Sequence, residues 1–343
     1  MQEKGMFFRT CLKMGLEFLI AVAILAFLIW KTGGVEKLRE IGFSSLNWGW
    51  LVLACAFYSF HLFVNAWRWH LLLKFRNIPC SLWTAVSLTM QSFFFSLVMP
   101  GGALGGDAVR AGFIAYRVQK GRKFDSVFTI LMDRFTGMIG MFLLAFLCLP
   151  FAWDTIRETG GVARVFICFL LLFSAAGIVA AAFIFWHEKL ERIRLFRWIL
   201  QLADKITRGL FGRIMNALDS YRNGKKELFL CVAGSLLGVN GVLGLCFYCV
   251  CLACSTELAP AFLAALCAIT LGNIAGILPA TPSGIGMRDY FVSVLMAGAA
   301  AQVGLDGVAP ALLMTVVIVG FNLVGGLFFL FDRRPSAPDV QKI

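Results

Sequence analysis

The chain has 343 residues, of which 60% are hydrophobic, 14% aromatic and only 15% charged. A soluble protein of this length carries about 45–50% apolar and about 25% charged residues, and one buried core cannot account for a mean hydropathy of +0.83. The formal net charge of +12 does not indicate nucleic-acid binding, because the basic residues lie in short segments between apolar runs. The composition excludes a soluble, disordered or disulfide-rich secreted protein and indicates a polytopic membrane protein.

Apolar runs of about 17–25 residues, long enough to form transmembrane helices, recur along the chain. In chain order they lie near 13–31, 48–66, 83–99, 127–149, 163–186, 228–253, 260–278, 288–303 and 309–331. The first run is too long for a signal peptide, and no small-residue cleavage site follows it. The run 83–99 ends at a Pro-Gly-Gly sequence, and a second Pro/Gly break separates 260–278 from 288–303. The sequence predicts an all-α fold with about eight transmembrane helices plus a re-entrant or broken helical hairpin.

The distribution of Lys and Arg predicts the orientation in the membrane. Of the 31 basic residues, 24 lie in five segments: 1–13, 67–82, 100–125, 187–227 and the tail after 331. By the positive-inside rule these segments and both termini face the cytoplasm, in a bacterial cytoplasmic (inner) membrane. Segments 67–82 and 100–125 then share a side, although the run 83–99 separates them. This run must turn back, either as a re-entrant hairpin broken at Pro100 or with a short return helix at 107–117.

The chain is predicted to form one membrane domain over residues 1–331, followed by a cytoplasmic tail at 332–343. Within that domain, apolar residues recur near every 3.6 positions over 189–221, with basic residues between them. This pattern indicates an amphipathic helix on the inner leaflet or a linker helix packed against the spans. The remaining loops are too short for a soluble catalytic domain.

Two segments interrupt the hydrophobic pattern in the same way, one from Pro100 to Arg110 and the other from Pro279 to Asp289. Each opens with Pro, passes through glycines and closes with a carboxylate and an arginine. Paired broken segments in the two halves of a chain are typical of a transporter's central site and indicate an internal repeat. The alternative is a pair of ordinary loops whose Gly and Pro residues turn the chain.

Glycine lets the backbone adopt positive φ and leaves main-chain N–H groups open to a ligand. A helix beginning at Gly106 or Gly286 would direct its positive end toward the break, where a phosphate or carboxylate headgroup could bind. The candidate binding residues of the two segments are Pro100, Gly101, Gly102, Gly105, Gly106, Asp107, Arg110, Pro279, Pro282, Gly284, Gly286, Arg288 and Asp289. Two further candidates are Asn273 and Arg68, and the tryptophans around Arg68 indicate a snorkelling residue at the membrane interface.

Asp133 and Arg134 lie about two turns into the run 127–149, at a depth of about 10 Å. Adjacent helix residues point about 100° apart, so these two side chains cannot form an ideal ion pair with each other. Each needs another partner, since a lone charge at that depth is costly. The candidate partners are Arg110 or Arg288 for Asp133, and Asp107 or Asp289 for Arg134. The resulting network is either structural or functional.

We expect no metal and no cofactor. The four cysteines between 246 and 254 would lie around a helix without converging, as zinc ligands must. The chain has no phosphate-binding loop of the ATPases and no hydrolase or metalloprotease motif. Its isolated charges also differ from the dense carboxylate or His clusters of enzymes that act on lipid phosphates.

Four motifs, by their order and spacing, resemble the lysylphosphatidylglycerol synthase transmembrane family, also called flippase-like. They are Arg68-Trp69 with Leu71-Leu72, Pro100-Gly101-Gly102 through Asp107 and Arg110, Asp133-Arg134, and Leu278-Pro279 through Gly284 to Arg288. The resemblance covers about residues 10–330, and Asp289 stands where many relatives have a Glu. In that family the membrane region is associated with moving a modified lipid between leaflets. Lysyl transfer belongs to a separate C-terminal cytosolic domain, which we expect to be missing here.

The sequence therefore favours a transporter over an enzyme: a flippase for a phospholipid or polyprenyl-linked lipid. The headgroup would enter a polar cavity lined by the two broken segments, with Arg110 or Arg288 binding phosphate and an aspartate binding a basic group or a proton. The alternatives are a membrane transferase that uses a lipid-linked sugar or lysyl donor, and a membrane subunit of such an enzyme. Expected partners are a membrane lipid, a soluble lipid-modifying enzyme and a second copy of the chain, but no nucleic acid.

Overall fold

The computed structural model describes residues 46–99, 102–158, 161–190, 218, 221, 224–255, 261–277, 284–301 and 307–332. Over these residues the fold is all-helical, as predicted, and has nine helices. They are α1 (Trp48–Phe75), α2 (Leu82–Val98), α3 (Ala103–Arg117), α4 (Lys123–Glu158), α5 (Gly161–Leu190), α6 (Lys225–Cys254), α7 (Phe262–Gly276), α8 (Met287–Ala301) and α9 (Val308–Phe331). A single 3₁₀ turn at Lys120–Arg122 precedes α4.

Every predicted apolar run from residue 48 onward coincides with one of these helices. Among the described residues, four helical stretches are long and apolar enough to cross a membrane: α1, Lys123–Phe151 of α4, α6 and α9. Shorter apolar stretches occur in α2, α5 and α7. The predicted run 13–31, almost all of the amphipathic segment 189–221 and nearly all of the predicted tail lie outside the described residues.

The helix α6 changes its winding halfway along, where Gly234–Gly241 form a π-helical segment. Asn240 donates its side-chain amide to the Ser235 carbonyl at 2.8 Å, and the Ser235 hydroxyl donates to the Gly137 carbonyl of α4 at 2.8 Å. On the other side, the His61 ring of α1 bonds the Val239 carbonyl through Nδ1 at 2.9 Å. These polar bonds hold α6 against α1 and α4, the two long helices that carry Arg68 and Asp133, described below.

The helices α2 and α3 form the predicted hairpin, and α3 is its return helix, starting at Ala103. Arg122 donates to the carbonyl groups of Asn77, at 2.7 Å, and Arg76, so the loop before α2 meets the loop after α3. The two helices have 17 and 15 residues, which correspond to about 25 Å and about 22 Å of length. Both are shorter than the roughly 30 Å hydrocarbon core of a bilayer, so the first hairpin has re-entrant dimensions.

Glycine permits both the tip and the close packing of this first hairpin. Gly102, immediately before α3, has φ 55°, a left-handed conformation that residues with a Cβ rarely adopt. One turn further along, a methyl group at Gly106 would lie 2.2 Å from the carbonyl oxygen of Ser92 in α2. The backbones of α2 and α3 therefore touch at a distance that excludes any side chain at position 106.

Contacts at the helix ends gather the basic segments on one face of the bundle. Arg76 pairs with Asp125 at 3.2 Å and lies over the ring of Tyr221, 5.6 Å from its centre. Arg117 pairs with Asp332 at 2.6 Å. The ends of α1, α3 and α9 thus share a face, here called the basic face, with the starts of α4 and α6. The described parts of four of the five basic-rich segments meet there, as the positive-inside prediction requires. The side of the membrane on which this face lies stays a prediction.

The helices α7 and α8 form a second hairpin that enters from the opposite face. The backbone N–H of Asn47, before α1, donates to the carbonyl of Ala253 at the end of α6 at 3.0 Å. Because α6 starts at the basic face, α7 begins at the far face. The helix α9 ends at the basic face, so α8 also ends at the far one. The two short hairpins are therefore inverted relative to each other, an arrangement typical of transporters with internal repeats.

Glycine also shapes the second break, of which the structure describes residues from 284 onward. Gly284 has φ 72° and Gly286 has φ 90°, so both adopt the left-handed conformation that the sequence predicted for these breaks. A methyl group at Gly284 would lie 2.7 Å from the carbonyl oxygen of Gly276, at the end of α7. The chain therefore folds back tightly on α7 before it enters α8.

Candidate functional site

Two arginines from other helices hold the buried carboxylate of Asp133 in α4. Arg68 of α1 donates through Nε to Oδ1 at 2.9 Å, and Arg110 of α3 donates through Nη1 to Oδ2 at 3.4 Å. Arg68 Nη2 also donates to the main-chain carbonyl of Asp133 at 3.2 Å. The relative exposures are 4% for Arg68, 3% for Arg110 and 4% for Asp133. These three residues, the Asp133 cluster, tie the first hairpin to two membrane-spanning helices.

A tryptophan orients Arg110 within this cluster. The guanidinium carbon of Arg110 lies 3.7 Å from the centre of the Trp69 ring. Trp69 is fully buried, and its indole N–H donates to the hydroxyl of Thr129 at 2.9 Å. The stacking occupies the flat face of the guanidinium and leaves the N–H groups at its edge available for hydrogen bonds.

The Asp133 cluster contains more donors than acceptors. Three buried nitrogen atoms of this cluster have no hydrogen-bond partner among the described residues: Nη1 of Arg68, and Nε and Nη2 of Arg110. Arginine stays protonated in proteins, so two positive charges face one carboxylate and the cluster has a net charge of +1. A buried polar group without a partner is unfavourable, which makes these nitrogens a candidate anion site.

A second ion pair joins α3 to α4 next to the Asp133 cluster. Arg134 donates through Nε and Nη2 to the two carboxylate oxygens of Asp107, at 2.5 and 2.9 Å. The side chain of Arg134 is 41% exposed and that of Asp107 is 12% exposed. Asp107 was one of the two predicted partners of Arg134, and the bidentate pair is neutral as a whole.

The charges of the second hairpin also match one for one. Arg288 Nη2 lies 2.8 Å from Oδ1 of its neighbour Asp289. The Asp289 carboxylate also accepts the Gly286 backbone N–H at 3.0 Å, which caps the start of α8. Thr315 of α9 donates to the same carboxylate at 2.7 Å and accepts a hydrogen bond from Arg288. This group of residues holds the second hairpin against α9.

The observed pairing corrects the sequence prediction in two respects. Asp133 binds Arg110, one of its two predicted partners, and also Arg68, for which the sequence indicated an interfacial position. Arg68 is buried because it faces α4, where Gly137 leaves room for its guanidinium. The sequence contained a usable signal for this pair, because both residues lie well inside their helices. Measured from the basic face, Arg68 lies about 10 Å from the end of α1 and Asp133 lies about 15 Å from the start of α4. Arg288 pairs with Asp289 although the two are adjacent, because the long arginine side chain folds back on its neighbour.

The other candidate residues have different positions. Gly105 and Asn273 are half-buried, on α3 and α7. Four further candidates lie outside the described residues: Pro100, Gly101, Pro279 and Pro282. In the described helices, no group of three His, Cys, Asp or Glu residues could hold a metal ion.

Comparisons with known proteins extend over nearly the whole chain. A family model, described as the lysylphosphatidylglycerol synthase TM region, matches residues 16–332. A UPF0104 membrane protein of Pyrococcus horikoshii is 23% identical over 340 residues, which cover 94% of this chain and 98% of that protein. No solved structure matches the chain significantly.

Proposed function

Because the chain belongs to the lysylphosphatidylglycerol synthase TM family, we propose that this multi-pass membrane protein is a flippase. It moves a phospholipid or a polyprenyl-linked lipid between the two leaflets. The lipid headgroup passes through the protein while the hydrocarbon chains stay in the bilayer. The family supports a role related to membrane lipids, and the arrangement of buried charges supports transport.

The observation that carries the proposal is the Asp133 cluster, with two arginines and one aspartate buried among membrane helices. Charged side chains inside a membrane are costly and usually face a polar pathway or a partner. A lipid headgroup has the same difficulty, since it must leave water and find hydrogen-bond partners within the protein. Buried donors from two helices, held by a carboxylate from a third, offer the headgroup such partners at membrane depth.

The two inverted hairpins also support transport. Both are too short to cross the bilayer, and both have glycines with positive φ at their tips. Non-helical backbone at membrane depth is tolerated only where protein buries it or water reaches it. Two half-spanning hairpins from opposite faces let one region of the protein open alternately to either leaflet.

The ion pair between Arg134 and Asp107 supports an entry point for the headgroup between α3 and α4. The pair lies on α3 and α4, next in sequence to Asp133 and one turn from Arg110. The Arg134 side chain is partly exposed, whereas the side chains of the Asp133 cluster are buried. Apolar side chains on the same two helices face outward, with Leu104 at 70% and Leu131 at 54% exposure. The headgroup therefore passes from the lipid-facing surface between α3 and α4 to the Asp133 cluster, and Arg134 releases Asp107 to admit it.

Exchange of labelled lipids between leaflets, in vesicles that contain the purified protein, tests this proposal. The labelled lipids share their acyl chains and differ in the headgroup: phosphatidylglycerol, phosphatidylethanolamine, diacylglycerol and a polyprenyl phosphate. We expect faster exchange than in protein-free vesicles for at least one phosphate-bearing lipid. Exchange of every such lipid at the protein-free rate would contradict the proposal.

A further inference from the structure

We propose that Arg68 and Arg110 form a binding site for one singly charged phosphate oxyanion, as found in the phosphodiester of a phospholipid headgroup. This inference rests on the proposed function for its source of phosphate but on separate observations for the site itself. Those observations are the charge of the Asp133 cluster, the identity of its unused donors and the close approach of Arg68 to Gly137.

The charge of the cluster defines the charge of the ligand. Arg68 and Arg110 bring two positive charges and Asp133 brings one negative charge, and all three side chains are at most 6% exposed. The neighbouring pair of Arg134 and Asp107 is balanced and adds no net charge. A monoanion therefore makes the buried group neutral, whereas a neutral headgroup leaves it unbalanced.

The unused donors of Arg110 lie on one edge of its guanidinium and can bind two oxygens of an oxyanion at once. Its free atoms are Nε and Nη2, the same two atoms through which Arg134 binds both oxygens of Asp107. This edge of a guanidinium matches two oxygens of a carboxylate or a phosphate. Arg110 thus keeps its bidentate edge free while its Nη1 holds Asp133 and its face stacks on Trp69.

The guanidinium of Arg68, with its free donor, lies close against a glycine of α4. Arg68 binds Asp133 through Nε and Nη2, which leaves Nη1 as its unused nitrogen. A methyl group at Gly137 would lie 3.0 Å from Nη2 and 3.2 Å from Nη1. Gly137 therefore allows the guanidinium to approach α4 closely, with its third nitrogen not used by Asp133.

The third buried arginine among the described residues, Arg288, does not offer this combination. The charge of Arg288 is matched by its neighbour Asp289, and the same guanidinium also donates to Thr315. Among the arginines suggested by sequence for phosphate binding, the structure therefore assigns the role to Arg110, with Arg68 as its partner. Asp133 holds the two guanidinium groups together when no anion is bound.

The test measures binding to the full-length protein in neutral detergent, where no leaflets exist and transport plays no part. Thermal stability is recorded against the concentration of dioctanoyl phosphatidylglycerol, a phosphodiester with one negative charge. Dioctanoylglycerol supplies the same chains without phosphate, and inorganic phosphate supplies the anion without chains. The variants are Arg68→Lys, Arg110→Lys and Gly137→Ala, and the matched controls are Arg117→Lys and Gly112→Ala.

The lysine variants keep both positive charges around Asp133 and lose only the planar donor edge. We expect saturable stabilisation of the wild-type protein by phosphatidylglycerol and none by dioctanoylglycerol. The affinity should fall about tenfold or more in each lysine variant, as for loss of a charge-assisted hydrogen bond, and also in Gly137→Ala. The two controls should keep the wild-type affinity, since Arg117 pairs with Asp332 at the basic face and a methyl group at Gly112 meets no atom within 4 Å.

The outcomes separate the source of the phosphate from the existence of the site. Stabilisation by inorganic phosphate with the same dependence on the two arginines would support the oxyanion site and identify a free anion as its ligand. Equal stabilisation by both dioctanoyl lipids, or unchanged affinity in both lysine variants, would overturn the inference. Binding without leaflet exchange would refute the proposed transport but leave the oxyanion site intact. Leaflet exchange with unaltered affinity in the lysine variants would refute the site but leave the proposed transport intact.

Discussion

Arg68 of α1 and Asp133 of α4 form an ion pair of 2.9 Å inside the membrane region, although 65 positions separate them in the chain. Each of these two side chains is at most 6% exposed. The pair joins two long helices, and the same carboxylate also receives Arg110 from the first hairpin. One aspartate thus links the first hairpin to both spanning helices, beside the second ion pair that joins Arg134 to Asp107.

The first prediction concerns this dependence. Replacing Asp133 by Asn leaves two buried arginines without a counter-charge, which should destabilise the fold by about 3–5 kcal/mol. Combining Asp133→Asn with Arg68→Gln should cost clearly less than the sum of the two single changes. Thermal stability in detergent, measured as a double-mutant cycle, tests the coupling.

The control cycle for this prediction combines Asp133→Asn with Arg288→Gln. Arg288 has its own partner in Asp289, so these two losses should add. Additive losses in the cycle with Arg68, or strong coupling in the cycle with Arg288, would show that the charges are connected differently.

The second prediction concerns the packing of α2 against α3. In Gly106→Ala the new methyl group would meet the Ser92 carbonyl oxygen at 2.2 Å, so the two backbones must separate. We expect a loss of about 1–3 kcal/mol, typical of overpacking. Gly112→Ala, on the same helix but with no atom within 4 Å of the added methyl group, should be neutral or slightly stabilising. Equal thermal stability of the two variants would mean that the hairpin is not closely packed.

The third prediction concerns the tips of the two hairpins. Gly102→Leu and Gly284→Leu each place a branched side chain at positive φ, at a cost of about 1–3 kcal/mol of backbone strain. Both variants should insert into the membrane, because the spanning helices are unchanged, but lose lipid exchange. Membrane abundance and exchange rate are measured on the same preparations. Wild-type exchange in both variants would favour plain connecting loops over functional tips.

The fourth prediction concerns orientation, with the basic face in the cytoplasm. A cysteine introduced by Gly121→Cys, in the 3₁₀ turn before α4, lies at this face, and one introduced by Ser255→Cys lies at the end of α6 at the other. Relative to the parent protein, an impermeant thiol reagent added to intact cells should label only Ser255→Cys. Permeabilised cells should allow labelling of Gly121→Cys as well. The reverse pattern in intact cells would invert the orientation.

Much of the fold was predictable because membrane helices are encoded by local hydrophobicity. The runs at 48–66 and 309–331, for example, correspond to α1 and α9, and the Pro/Gly breaks correspond to the hairpin tips. The Lys and Arg counts also required the run 83–99 to turn back, and α3 provides the return. To predict each helix, the composition of its own segment was sufficient, without any knowledge of the neighbouring helices.

The charge pairing was predictable only in part, because it depends on how distant helices are rotated against one another. Asp107 and Arg110 were each one of two candidate partners for the α4 charges, since few other buried charges were available. Arg68 was misplaced because flanking tryptophans are also typical of a membrane interface. Asp289 was the other candidate partner of Arg134, but its carboxylate caps the start of α8 and pairs with Arg288. Only the backbone of α8 reveals this local competition.

The central claim is that the arginines of the Asp133 cluster carry a phosphate-bearing headgroup across the membrane. The most direct measurement is the exchange rate of fluorescent phosphatidylglycerol in vesicles that contain equal amounts of wild-type protein, Arg110→Lys or Arg117→Lys. The reductant dithionite, which does not cross the membrane, destroys the fluorescence of only those labels that lie in the outer leaflet. We predict rapid exchange with the wild-type protein and with Arg117→Lys, and exchange close to the protein-free rate with Arg110→Lys. Equal exchange in all three preparations, or none in any of them, would contradict this claim.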